Sequence, residues 1–259
     1  MGQYSSPYPA VQTLHDRRTA GFQRWAGLTF VHWRLPAAQV QARLPKSLRV
    51  LEFDGSAWLG LVPFAMEKIR PWWSPPIPGV SWFLETNLRT YVVDEQGREG
   101  VWFFSLEADS WLAVTVARYL WHLPYWYSEL HRDVSMGRDP SKTIRYNGFR
   151  RSDREVAYEI SVELPQPDQA EVATPGTLEF FLVERYRLFA LDRRERLRMG
   201  IVHHEPYRLS PVVAGTISES LTRSAGFSDL QAQSPAHWAF SWGVDVRVSP
   251  LTMVNRPRR

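Results

Sequence analysis

The alternation of apolar and polar positions reads mostly as antiparallel β structure. Arg49 to Phe53 and Ser56 to Met66 flank Asp54-Gly55, a pair that readily adopts the positive φ of a tight turn, and so form a hairpin signal. Trp82 to Val93 and Val101 to Ala108 predict a second, long hairpin. Thr143 to Arg151 with Val156 to Leu164 predict a third, Arg185 to Leu191 with Leu197 to His204 a fourth, and His237 to Val248 a last strand. Helix signals are few. Ala37 to Leu44 lies between Pro36 and Pro45, Ser110 can cap a helix running to about His122, and Thr177 can cap one to about Glu184. Ser218 to Ala225, followed by Gly226, suggests a short fourth helix. The segment after Ser110 is apolar nearly all round until Arg118, which predicts a buried helix. Successive hairpins with few helices favour a meandering or closed antiparallel sheet over a βαβ fold.

The Pro-rich stretches Pro71 to Pro78 and Pro165 to Pro175 fall between strand signals and read as long loops over one domain spanning 1–259, with 1–20 and 250–259 peripheral. Composition narrows the class. The chain is 44% hydrophobic and 22% charged, ordinary for a protein with a sizeable core and unlike a disordered or collagen-like chain. It lacks any run of about 18 apolar residues, so no membrane span is expected. The start, Met1 to Arg24, is polar, and cysteine is absent, which together suggest a cytoplasmic protein without thiolate chemistry. Twelve Trp, 10 Tyr and 13 Phe suit a wide core or an aromatic-walled cavity.

The net charge of +4 is too modest, and its basic residues too interspersed with acids, to favour nucleic acid as a partner; only the tail Arg256-Pro257-Arg258-Arg259 is purely basic. Lysine is scarce: Lys46, Lys68 and Lys142 are the three amines available as nucleophiles. The seven histidines suggest no metal site, since His203 and His204 are adjacent and point to opposite faces of a strand. His203, His204 and Tyr207 are candidates for lining a cavity. The G-x-S-x-G, P-loop and G-x-G-x-x-G signatures are absent, and no cofactor is implied.

One strand carries the most information. Between Trp82 and Val93, period-two alternation puts Phe83, Glu85, Asn87, Arg89 and Tyr91 on one face. On an open sheet this is a solvated face with a Glu/Arg pair. In a closed sheet a carboxylate, an amide and a guanidinium converge inside a pocket. Arg118 is a second candidate: buried, it needs a partner, for which Glu85 and Glu107 are available; otherwise it reaches water beside the helix end.

Leu84-Glu85-Thr86-Asn87-Leu88-Arg89-Thr90-Tyr91-Val92 resembles the E-x-N-x-R-T-Y-V segment of the YqjF-like family of uncharacterised prokaryotic proteins. Gly100-Val101-Trp102-Phe103-Phe104-Ser105-Leu106, Ala117-Arg118, Leu123-Pro124-Tyr125, Leu178-Glu179, Glu184-Arg185-Tyr186 and Val202-His203-His204 extend the resemblance in order from about Thr29 to Val246. It implies the fold of the acetoacetate decarboxylase-like superfamily, an α+β, mainly antiparallel sheet curled into a cone-shaped β-barrel with a few short helices. The decarboxylases carry G-R-E-x-x-G-x-P-K-K, whose first lysine forms a Schiff base and whose second depresses its pKa. Here Arg118 and Pro124 keep their spacing. Ala117 and His122 replace the glycines, Tyr119 the glutamate, and Tyr125 and Trp126 the two lysines. Schiff-base chemistry has no nucleophile at its usual place.

These readings make Glu85, Arg118 and Tyr125 the candidate catalytic groups and Asn87, Arg89, Ser105 and His203 the candidate ligand contacts. Two functions stay open at this level. One is a small-molecule pocket protein, enzyme or binder, for a carbonyl- or carboxylate-bearing metabolite. The other is a non-catalytic module whose polar network only braces the sheet. A homo-oligomer is compatible with either.

Overall fold

The computed structural model describes residues 19–136, 142–164 and 169–254. The first part of the polar N-terminal stretch, residues 165–168 of the second Pro-rich stretch and the basic tail lie outside the described residues. In chain order the strands are β1 Gly21–Leu35, β2 Leu48–Val50, β3 Ala57–Pro71, β4 Phe83–Asp94, β5 Glu99–Ala108, β6 Tyr125–Met136, β7 Lys142–Arg150 and β8 Asp153–Leu164. They continue with β9 Glu171–Val172, β10 Arg187–Leu191, β11 Leu197–His204, β12 Arg208–Leu209, β13 Ala214–Glu219, β14 His237–Val248 and β15 Thr252–Met253. Among the described residues no helix is long and apolar enough to cross a membrane.

The strand pairings return on themselves. β4 pairs with β5, β5 with β10, β10 with β11, β11 with β14, β14 with β1, β1 with β3, and β3 again with β4. The hairpins β4–β5, β7–β8 and β10–β11 match the sequence pattern. Two pairings depart from it: β5 runs parallel to both β6 and β10, so the sheet is mixed rather than wholly antiparallel. The Asp54-Gly55 turn forms with positive φ at both residues, closed by a single Phe53–Ser56 bridge, but β2 pairs with β4 instead of β3. Long strands β1 and β6, outside the hairpin pattern, complete the framework.

Strands β6, β7, β8 and β13 form a wing attached through the β5–β6 pairing. Its apolar face packs on the outside of β1, β3, β4 and β14, with Leu130, Ile144, Tyr146, Tyr158 and Ile160 meeting Val31, Leu59, Leu61, Leu88 and Phe240. Tyr146 of β7 donates to the carbonyl of Gly27, whose positive φ breaks the β1–β3 register; a Cβ there would meet the phenol oxygen at 2.6 Å. A second core fills the inner side of the circuit. With cores on both sides, β4 is buried over nearly its whole length. Its polar inner face is therefore not a solvated one.

The four expected helices appear, each shorter: Ala37–Gln41, Trp111–Val116, Leu178–Val183 and Leu221–Ser224. Ser110 and Thr177 cap as their positions predict, accepting from the amides of Ala113 and Phe180. The helix after Ser110 is not buried, contrary to its apolar pattern. Trp111, Leu112, Val116, Tyr119 and Leu120 face outward, and the chain loosens into a π-helical turn, Ala117–Trp121, ending at left-handed His122. It lies across one end of the circuit and turns Ala113, Val114, Ala117 and Trp121 inward.

Candidate functional site

The inner face of β4 delivers Phe83, Glu85, Asn87 and Arg89 to one cavity with a free volume of about 180 Å³. A single water needs about 10–15 Å³ on the same measure, so the space has room for more than an isolated solvent molecule. β3 contributes Val62, Phe64 and Met66 to the same space, opposite Asn87, Glu85 and Phe83 in register. Most of the wall is apolar.

Glu85 and Tyr125 meet in the middle of this wall. The Tyr125 phenol donates to Oε2 of Glu85 at 2.8 Å, and both side chains are buried. Burial pushes the Glu85 carboxyl up to about 7, against the smaller opposing effect of the Tyr125 hydrogen bond. Burial, reinforced by the Glu85 charge, holds the Tyr125 phenol well above its ordinary range. Glu85 thus exchanges its proton near neutrality while Tyr125 remains a donor.

The far end of the cavity is cationic. Arg89 donates to the carbonyl of Leu182 at 3.1 Å and lies over the rings of Phe30 and Tyr91. Tyr91 donates to the same carbonyl at 2.8 Å, and His32 Nε2 lies 2.8 Å from the Tyr91 phenol. The Leu178–Val183 helix is thereby pinned across this end. Arg185, which follows that helix, also lines the cavity and reaches Glu99 at 3.3 Å. Among the described residues Arg89 has no carboxylate partner, and the buried Nε of Arg89 and Oδ1 of Asn87 have no hydrogen bond. Buried polar atoms are nearly always paired, and these two belong to side chains that line the cavity.

Three sequence candidates stand elsewhere. Arg118 is exposed on the π-helical turn, donates from Nε to the carbonyl of Tyr125 at 2.6 Å and lies over Trp126. It reaches neither Glu85 nor Glu107. Glu107 pairs with buried Arg150 of β7 at 2.8 Å. Ser105 lies on the opposite face of β5, across from Leu88. The cause is a β-bulge: Leu88 pairs with Ser105 but Arg89 with Phe103, so Phe104 is an extra residue. Strict alternation from Phe103 would turn Ser105 and Glu107 inward; the extra residue turns Leu106 inward instead. His203 borders an outer cleft with Lys68, Arg70 and Arg247, while His204 packs against Tyr186 and Tyr207. Of that trio Tyr207 alone lines the cavity. In the sequence Arg185 stands in Glu184-Arg185-Tyr186 and at the start of the Arg185 to Leu191 strand signal; an arginine between a helix end and a strand gives no sign of facing inward.

Residues 22–245 match the family of uncharacterised conserved proteins called DUF2071. The chain belongs to this family. The curated relative YqjF of Bacillus subtilis (strain 168), itself uncharacterised, is 33% identical over 218 residues, covering 84% of this chain and 86% of that protein. Among solved structures, an acetoacetate decarboxylase-like enzyme from Sphingomonas wittichii RW1 superposes with a TM-score of 0.66 at 13% identity, covering 92% of this chain and 94% of that one. The enduracididine biosynthesis enzyme MppR, complexed with pyruvate, gives a TM-score of 0.61 at 14% identity over 97% of each chain. The acetoacetate decarboxylase of Legionella pneumophila gives 0.59 at 13% identity, over 97% and 93%. This DUF2071 chain shares their fold. Tyr125 lines the cavity, Trp126 is not in its wall, and neither are any of the three lysines.

Proposed function

We propose that this DUF2071 protein is a small-molecule pocket protein acting by acid–base chemistry on a carbonyl- or carboxylate-bearing metabolite, without a Schiff base. The closed circuit of pairings is read as the cone-shaped barrel that holds the ligand. Arg89 and Arg185 take the planar oxygens of the ligand, because a guanidinium presents paired N–H donors to them. Asn87 offers a further polar contact. Glu85 moves a proton to or from the ligand, suited to the task by an affinity for protons balanced near neutral pH, and Tyr125 stabilises its carboxylate. The observation that carries this reading is the cationic end: a buried arginine with no acid paired to it among the described residues and an unused Nε, next to an amide oxygen in the same condition.

A purely bracing network would satisfy its own members, and the unpaired atoms of Asn87 and Arg89 argue against that alternative. The pyruvate complex of MppR supports the choice of probe. Thermal unfolding of the wild type and of Arg89→Met should be followed with pyruvate and with acetoacetate at millimolar concentrations. The reading expects at least one acid to raise the wild-type midpoint and to leave that of Arg89→Met unmoved. No rise with either acid, or the same rise in the variant, overturns it.

A further inference from the structure

The cavity is polarised along its length. Arg89 and Phe83 are six residues apart on one strand, about 20 Å at about 3.3 Å per residue. That is far longer than a short oxo acid. From Asn87 and Glu85 outward, the walls change to Phe64, Met66, Ile69 and Phe83, roofed by Ala113 and Trp121. Val116 is the cavity residue with the greatest exposure, 43%, so the space reaches solvent beside the π-helical turn. The same helix and π-helical turn carry outward-facing Trp111, Leu112, Tyr119 and Leu120, an apolar surface that suits the entry of an apolar chain better than that of a polar molecule.

We infer that the ligand is an amphipathic acid: its head group sits between Arg89 and Asn87, and an apolar tail runs past Phe83 and Met66 to the opening at Val116. The inference rests on the head-group reading above and adds the tail. Each methylene moved from water into this wall strengthens binding by about three- to fourfold, until the chain emerges at the rim. Val116 and Ala113 then set the accepted chain length, since they border the exit.

Binding of butyrate, hexanoate and octanoate to the wild type, Val116→Asp and Arg89→Met tests this by calorimetry. Position 116 is exposed, so the aspartate variant keeps its fold. The wild type should bind octanoate at least tenfold more tightly than butyrate. Val116→Asp should lose that gain while holding butyrate within about twofold, because its charge meets only the longer tails. Butyrate binding with no rise along the series overturns the tail and leaves the head group standing. Octanoate binding as tight in Arg89→Met as in the wild type also overturns it, because the acids are then adsorbing to the apolar rim without using the head-group site. No binding of any acid to the folded wild type removes the head-group reading and the inference together.

Discussion

Tyr125 holds Oε2 of Glu85 from 2.8 Å inside an apolar wall, so a carboxyl that titrates near 7 keeps a fixed donor beside it. The proton of Glu85 is bound more tightly in the folded chain than in the unfolded one. Stability from this group is complete below about pH 4.5 and is lost as pH rises to about 7. The gap between about 7 and 4.5, at about 1.4 kcal/mol per pH unit, amounts to about 3 kcal/mol. Glu85→Gln still accepts from Tyr125 but carries no charge. Urea unfolding at pH 8 should find the variant more stable than the wild type by up to this amount, and the advantage should shrink toward pH 4.5.

His204 has the opposite sign. Burial against Tyr186 and Tyr207 pulls its imidazole down to about 4, so the unfolded chain gains a proton that the folded chain refuses. Stability from His204 is complete above about 6.5 and falls toward pH 4. Because this slope opposes that of Glu85, Glu85→Gln should lose stability on acidification between pH 7 and 4.5 more steeply than the wild type. His204→Phe, which preserves the ring contacts, should be less acid-sensitive than the wild type. Chemical denaturation at closely spaced pH values measures both slopes.

Arg118 and Arg150 should differ sharply on truncation. Arg118→Ala removes one exposed side chain and its bond to the Tyr125 carbonyl, a loss of about 1 kcal/mol. Arg150→Ala leaves Glu107 buried and unpaired, at about 3–5 kcal/mol. Denaturant midpoints separate the two. Ligand stabilisation should survive Arg118→Ala, and its disappearance would return that residue to the site.

Ser105→Ala should be neutral or stabilising by up to about 1 kcal/mol, because its buried hydroxyl has no partner. The same variant should leave acid binding unchanged, since Ser105 faces Leu88 and not the cavity.

The inward triad of β4 was legible because a strand without irregularities keeps period two, so Glu85, Asn87 and Arg89 share a face whatever packs around them. Nothing in that pattern revealed the wing, whose packing buries the other face of β4 and leaves its polar inner face turned into the cavity rather than onto an open surface. Alternation failed on β5, where one extra residue exchanges the faces ahead of it; the residues Phe103-Phe104-Ser105 carry no local mark of the irregularity. The apolar segment after Ser110 misled for a different reason. A helix that covers an opening exposes apolar side chains that a core helix would bury. The cap at Ser110 was readable, but not what the helix covers.

The extra residue in β5 also determines how many acids the cavity contains. With Leu106 turned inward, Glu107 stays among Arg150 and Ser128, and Glu85 is the sole carboxyl in the wall among the described residues. A second acid opposite it would have split the titration into two coupled steps, one of them far from neutral. The bulge at Phe104 therefore leaves a single carboxyl hydrogen ion in the chamber among the described residues, and under the acid–base function proposed above such ions would be handed over one at a time.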